Sequence, residues 1–120
     1  MDFQETKLIT VTRQDISAGY QLVQSVHACA DFIFEHFETA SKWKFDSNSI
    51  ITLATKDETS LLKLYESLKA KGATVTAFYE PDIDNQMTAI SLMGTPEFRK
   101  YLSYLPLALK EKNNVQLKTA

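Results

Sequence analysis

Residues 7–12, Lys-Leu-Ile-Thr-Val-Thr, are β-branched and largely apolar, which predicts a buried strand. The spacing then turns helical. Ser17 can accept from a backbone N–H of a first helical turn, and a helix is expected from about 17 to 38. One stripe, Leu22, Val26, Cys29, Ile33 and Phe37, is wholly apolar and is expected to be the packed face. The neighbouring stripe, Tyr20, Gln24, His27 and Asp31, is expected to present hydrogen-bonding groups. Positions 39–48 read as a short helical or irregular connection in which Trp43 covers the core edge. A second strand is predicted over 49–55. Thr55 and Glu58 resemble a capping box before a helix with Leu61, Leu62, Leu64, Tyr65 and Leu68 at helical spacing, ending at Gly72. The charged face of that helix, Lys63, Glu66, Lys69 and Lys71, reads as solvated surface. Strands follow over 73–79 and 87–94, and Thr95-Pro96-Glu97 opens a last helix predicted to reach about 112, kinked at Pro106. This order predicts a single three-layer α/β domain, a mixed four-stranded sheet with helices on both faces.

With 120 residues and 44% hydrophobic content, one domain over 1–120 can bury a real core. The net charge of −2 hides an asymmetry: residues 1–94 hold 8 Lys/Arg against 13 Asp/Glu, and residues 95–120 hold 5 against 2. Any phosphate contact is therefore expected from Arg99, Lys100, Lys110 and Lys112. The plain alternative packs Phe98, Leu102, Leu105 and Leu109 of the same segment onto the sheet and leaves its charges solvated. The single cysteine, Cys29, forms no intrachain disulfide and is expected to be a buried, inert thiol. The start of the chain lacks the pattern of a signal peptide and no stretch is long enough to span a bilayer, so no membrane partner and a cytoplasmic location are expected.

No phosphate-binding glycine loop, metal-ligand spacing or nucleophile elbow occurs. Two features remain, the polar helix stripe and an acidic loop with Glu80, Asp82 and Asp84. A lone helical histidine and an acidic loop are each common as plain surface. In a mixed sheet, however, the loops after the first and third strands can open at one edge, bringing Asp15, Tyr20, Gln24 and His27 near Glu80 and Asp82. Gly19 admits close approach to the helix backbone.

These residues resemble a known family, the type II peptidyl-tRNA hydrolases. The family's first helix reads approximately R-x-D-(loop)-G-K-x-A-A-Q-x-S-H-A, and this chain has Arg13, Asp15, Gly19, Tyr20, Gln24, His27 and Ala28 in that frame, with Tyr20 where the family carries lysine. A second family segment, roughly D-A-G-R-T-Q-x-x-P-G-T-x-T-V-L-G, is reduced to Glu80-Pro81-Asp82-Ile83-Asp84-Asn85-Gln86-Met87-Thr88-Ala89-Ile90, which keeps an acidic residue and Thr88. The resemblance covers about 7–94, with 95–120 as a helical extension. It implies hydrolysis of the ester of peptidyl-tRNA or a related acyl-tRNA, without metal or organic cofactor. Asp82 or His27 would accept a proton, backbone N–H groups around 17–19 would meet an oxyanion, Tyr20 and Gln24 would orient the carbonyl, and Thr88 would steady the acidic loop. Asp15, Gly19, Glu80, Arg99 and Lys100 are the expected substrate-binding residues. The alternative is a non-catalytic binding module on the same fold. A further reading is a regulatory or small-molecule-binding homodimer joined through Phe32, Phe34 and Phe37.

Overall fold

The computed structural model describes residues 3–110. Strand β1 (Lys7–Arg13) leads into α1 (Ala18–Glu35) and α2 (Phe37–Lys44), followed by β2 (Ile50–Thr55), α3 (Glu58–Ala70), β3 (Val75–Glu80), β4 (Gln86–Gly94) and α4 (Pro96–Tyr101). The sheet order is β2-β1-β4-β3, with β1 parallel to β2 and β4 antiparallel to both β1 and β3. The carboxyl ends of β1, β2 and β3 therefore open at one end of the sheet, which is where open α/β sheets place their ligands.

Both faces of the sheet are covered. On one, Ile9, Val11, Ile90 and Leu92 pack against Leu61, Leu64 and Leu68 of α3 and Phe98 of α4. On the other, Leu8 and Met93 pack with Phe32 of α1 and with Ala40 and Trp43 of α2. Trp43 is buried and donates Nε1–H to the Ser49 carbonyl at 2.8 Å, tying α2 to the start of β2.

The face that α1 buries is the reverse of the one its hydropathy predicts. Gln21, Gln24, Ser25, Ala28 and Phe32 face the sheet, while Leu22, Val26, Ile33 and Phe37 are exposed. The cause is the sheet beneath, where Thr10, Thr12, Thr76, Thr88 and Ser91 are buried. A polar floor needs hydrogen-bonding partners, so the face with Gln21, Gln24 and Ser25 lies down on it, while Tyr20 and His27 of the expected polar stripe stay exposed. Thr10 Oγ1 lies 2.7 Å from Ser91 Oγ and 2.9 Å from Cys29 Sγ, and Thr76 donates to Glu35 Oε2 at 2.7 Å. Among the described residues no buried side-chain nitrogen or oxygen lacks a partner. Cys29 is half-buried rather than fully enclosed.

Three other expectations are corrected. The first helix breaks at His36 (φ −127°, ψ 52°), and α2 takes a new direction that lets Trp43 reach the core. Thr55 is held in strand register opposite Arg13 and cannot cap; Asp57 caps α3 instead, accepting from Ser60 N at 2.9 Å, and Glu58 accepts from Met87 N at 2.9 Å. The last helix ends at Tyr101, not near 112. Residues 106–108 run alongside β2, with Ala54 N–H on the Pro106 carbonyl and Ala108 N–H on the Thr52 carbonyl, and a helix there would forgo both bonds. The expectation for Lys112 lies outside the described residues.

Candidate functional site

The site is assembled at the carboxyl ends of β1 and β3. Ser17 caps α1, its hydroxyl accepting from Tyr20 N, and starts the helix four residues after β1 ends. From that start, Gln24 and His27 are three residues apart on one helix face. On β3, Phe78 and Glu80 are two apart on one sheet face. The two spacings interlock: Gln24 Nε2 donates to Glu80 Oε1 at 2.9 Å, and the His27 ring stacks on Phe78 with centroids 4.4 Å apart and planes within 5°.

Thr88 completes the arrangement through a bulge. Phe78 pairs with Ala89 and Tyr79 with Met87, so Thr88 is the extra residue of β4, and a bulge re-aims its side chain. Thr88 Oγ1 donates to Gln24 Oε1 at 2.7 Å. Both ends of the Gln24 amide are thereby committed, its oxygen to Thr88 and its nitrogen to Glu80. Gln24 and Thr88 are both 0% exposed, which corrects the expectation that Gln24 orients a substrate carbonyl: it supports Glu80 and does not reach the surface.

Glu80 is held below the usual carboxylate range, first by the Gln24 hydrogen bond, then by the backbone N–H of Asp82, with a contribution from the neighbouring His27. It is a carboxylate at neutral pH. Asp82, in the 3-10 turn Pro81–Ile83, is exposed, and its carboxylate carries no hydrogen bond among the described residues. Tyr20 stands one helical turn before Gln24 with its ring at the surface. A methyl group added at Gly19 would meet nothing within 4 Å, so the first turn of α1 is open from outside, where its leading N–H groups have no partner within the helix.

Asp15, an expected substrate-binding residue, is paired with Arg13 and keeps 40% of its side chain exposed. Arg13, 5% exposed at the end of β1, donates Nε to Asp15 Oδ1 and Nη2 to Asp15 Oδ2, both at 2.9 Å, and Nη1 to Gln86 Oε1 and the Met87 carbonyl. The guanidinium holds the Asp15 carboxyl below its ordinary range. Gln86 is the register partner of Glu80, so this cluster adjoins the Gln24 chain along the sheet end. Gln86 and Phe78 were not among the expected site residues. The alternation Thr76, Phe78, Glu80 puts Phe78 on the Glu80 face, a signal usable only once Glu80 is chosen.

Arg99 and Lys100 do not join this site. They lie on α4 beyond Gly94, which pairs with Lys7 at the opposite end of β1. Lys110 is exposed. Among the described residues no three His, Cys, Asp or Glu side chains are grouped to hold a metal ion, and no helix is long and apolar enough to cross a membrane.

A family model described as Peptidyl-tRNA hydrolase PTH2 matches residues 6–98, the span from the start of β1 to the first turn of α4. No curated protein matches the chain.

Proposed function

The chain belongs to the peptidyl-tRNA hydrolase PTH2 family, and from that premise we propose that it hydrolyses the ester of peptidyl-tRNA or a related acyl-tRNA at the carboxyl ends of β1 and β3. The observation that carries this reading is the chain Thr88–Gln24–Glu80, which fixes a carboxylate beside His27 on an open face.

In this mechanism His27 takes a proton from the attacking water, oriented by Asp82. The Glu80 carboxylate stabilises the imidazolium that forms, as a fixed negative charge beside a developing positive one. The Ala18 and Gly19 N–H groups at the start of α1, where Ser17 already takes the Tyr20 N–H, and the Tyr20 hydroxyl meet the oxyanion. The acyl–oxygen bond breaks and the imidazolium returns its proton to the departing ribose oxygen. Gln24 and Thr88 are positioning residues. A cytoplasmic location, where acyl-tRNA is found, accords with this reading.

Release of peptide from peptidyl-tRNA by the purified chain tests it. His27→Ala and Asp82→Asn should each lower turnover on the order of a hundredfold with an unchanged melting temperature. Equal activity in the wild type and both variants removes these roles. The second reading is a binding module without turnover. It is favoured by Tyr20 standing at the family's lysine position and by Asp15, Glu80, Asp82 and Asp84 crowding an end whose Arg13 charge is already taken by Asp15. Wild-type protein that binds acyl-tRNA without cleaving it selects this reading.

We also propose that the outer stripe of α1 is covered by a second copy of this chain. Leu22, Val26, Ile33 and Phe34 of α1, Phe37 at the start of α2 and Phe45 just after it are all exposed, Phe34 at 86% and Phe45 at 88%. Phe32, expected in this contact, is buried in the core and takes no part. Together the six expose on the order of 800 Å², about what each partner of a standard interface buries and more than a monomer's usual apolar patch.

A further inference from the structure

At the end of the sheet remote from Gln24 lies a groove of about 450 Å³, within the range of small-ligand sites. Its floor is the β2 side of the sheet face on which α3 packs over β4 and β1. Ile9 and Leu53 are buried beneath it, and the apolar surface left accessible belongs to Ile51, Leu105 and Leu107. The opposite wall is the segment after α4, with Leu102, Leu105 and Leu107. That wall is pinned rather than draped: Ala54 N donates to the Pro106 carbonyl at 3.0 Å and Ala108 N to the Thr52 carbonyl at 2.9 Å, so 106–108 run along the outer edge of β2.

The rim carries Lys7, Arg99 and Lys100, and no carboxylate lines the groove. Arg99 spends one N–H on the Glu5 backbone carbonyl at 3.0 Å, a neutral acceptor that leaves its charge in place. The ion pair found among the described residues joins Arg13 to Asp15, at the other end of β1. Three cations thus line one groove without an ion pair among the described residues, in a chain of net charge −2. From Lys7 to Arg13 the strand runs roughly 20 Å, so this groove is a separate place from the ester-cleaving site. Its wall residues also lie beyond the span matched by the family model.

We propose that this groove binds a medium-chain carboxylate, with its hydrocarbon chain on the Ile51–Leu105–Leu107 surface and its carboxylate among Lys7, Arg99 and Lys100. Charge complementarity selects an anion, and the free donors of Arg99 suit a carboxylate. The apolar floor selects a hydrocarbon over a nucleic-acid backbone, whose interfaces are polar. The proposal goes beyond the esterase reading and does not depend on it.

Titration calorimetry on the full chain with decanoate, decanol and decyltrimethylammonium tests it. Decanoate should bind, decanol at least tenfold more weakly, and the cation not at all. Lys7→Gln/Lys100→Gln should weaken decanoate binding tenfold or more and leave the affinity for decanol unchanged. Amide shifts on adding decanoate should centre on the residues that line the groove. The proposal is overturned by absence of decanoate binding, by equal affinity for acid and alcohol, by shifts centred on Leu22 and Val26 instead, or by a tRNA that displaces decanoate from Lys7 and Lys100.

Discussion

Thr88→Val removes one hydroxyl from the Gln24 chain while keeping the side chain's volume. The lost bond is 2.7 Å long between two fully buried groups, so Gln24 Oε1 is left without a donor where water does not reach. Gln24 cannot repair this by turning over, because its oxygen would then face the Glu80 carboxylate, which needs the amide nitrogen. An unsatisfied buried acceptor costs about 1–3 kcal/mol, and the full burial here argues for about 2 kcal/mol. For a domain of this size that lowers the melting temperature by roughly 8–12 °C. The double variant Thr88→Val/Gln24→Leu removes both partners and should recover part of the loss, giving a coupling energy of about 1–2 kcal/mol in a double-mutant cycle measured by urea unfolding. In the peptidyl-tRNA assay the single variant should lower kcat about tenfold with little change in KM, since Glu80 loses its positioned donor. A single variant within about 0.5 kcal/mol of the wild type, or strictly additive changes, would refute the buried chain.

Asp15→Asn should cost about 2 kcal/mol at pH 7, between the values for exposed and fully buried pairs, because Arg13 is buried and the Asp15 side chain is 40% exposed. The Asp15 pKa is lowered by folding, so its contribution is present above the ordinary carboxylate range and lost as pH falls through the folded value; the wild-type and Asn stability curves should converge in acid, and parallel curves would count against the pair. Gly94→Ala places a methyl group against Ile9 Cδ1 and 2.9 Å from the Lys7 carbonyl, in a buried strand; chemical unfolding should show a loss of about 2–3 kcal/mol, and an unchanged midpoint would contradict the close approach. Phe34→Asp/Phe37→Asp should convert a dimer to a monomer by analytical ultracentrifugation without lowering the melting temperature of the monomer, and a wild-type chain that sediments as a monomer at high concentration removes the two-fold contact.

Much of the fold is written locally. Alternation and β-branching place β1 and β2, leucine spacing places α3, and Ser17 and Thr95 act as caps because a cap needs only its own next turn. Gln24, His27, Glu80 and Thr88 were also legible, by spacing and by family resemblance, as one neighbourhood. Their division of labour was not. Which face of α1 lies down depends on the polarity of a sheet assembled from β1, β3 and β4, and the threonines of that floor outweigh the hydropathy of the helix itself. Whether Glu80 or Asp82 receives the Gln24 amide depends on a one-residue bulge at Thr88, which no local pattern marks. Asp15 reads as a free carboxylate at a strand exit until the sheet turns Arg13 back onto it, and Arg99 and Lys100 read as part of one basic tail until strand direction carries them to the far end. The sequence by itself determined the four strands, the leucine-spaced helix, the Ser17 and Thr95 caps and the residue types available for chemistry, because those follow from contacts within a few residues. The tertiary structure decided partners, burial and distance, because each depends on residues brought together from as far apart as Gln24 and Thr88.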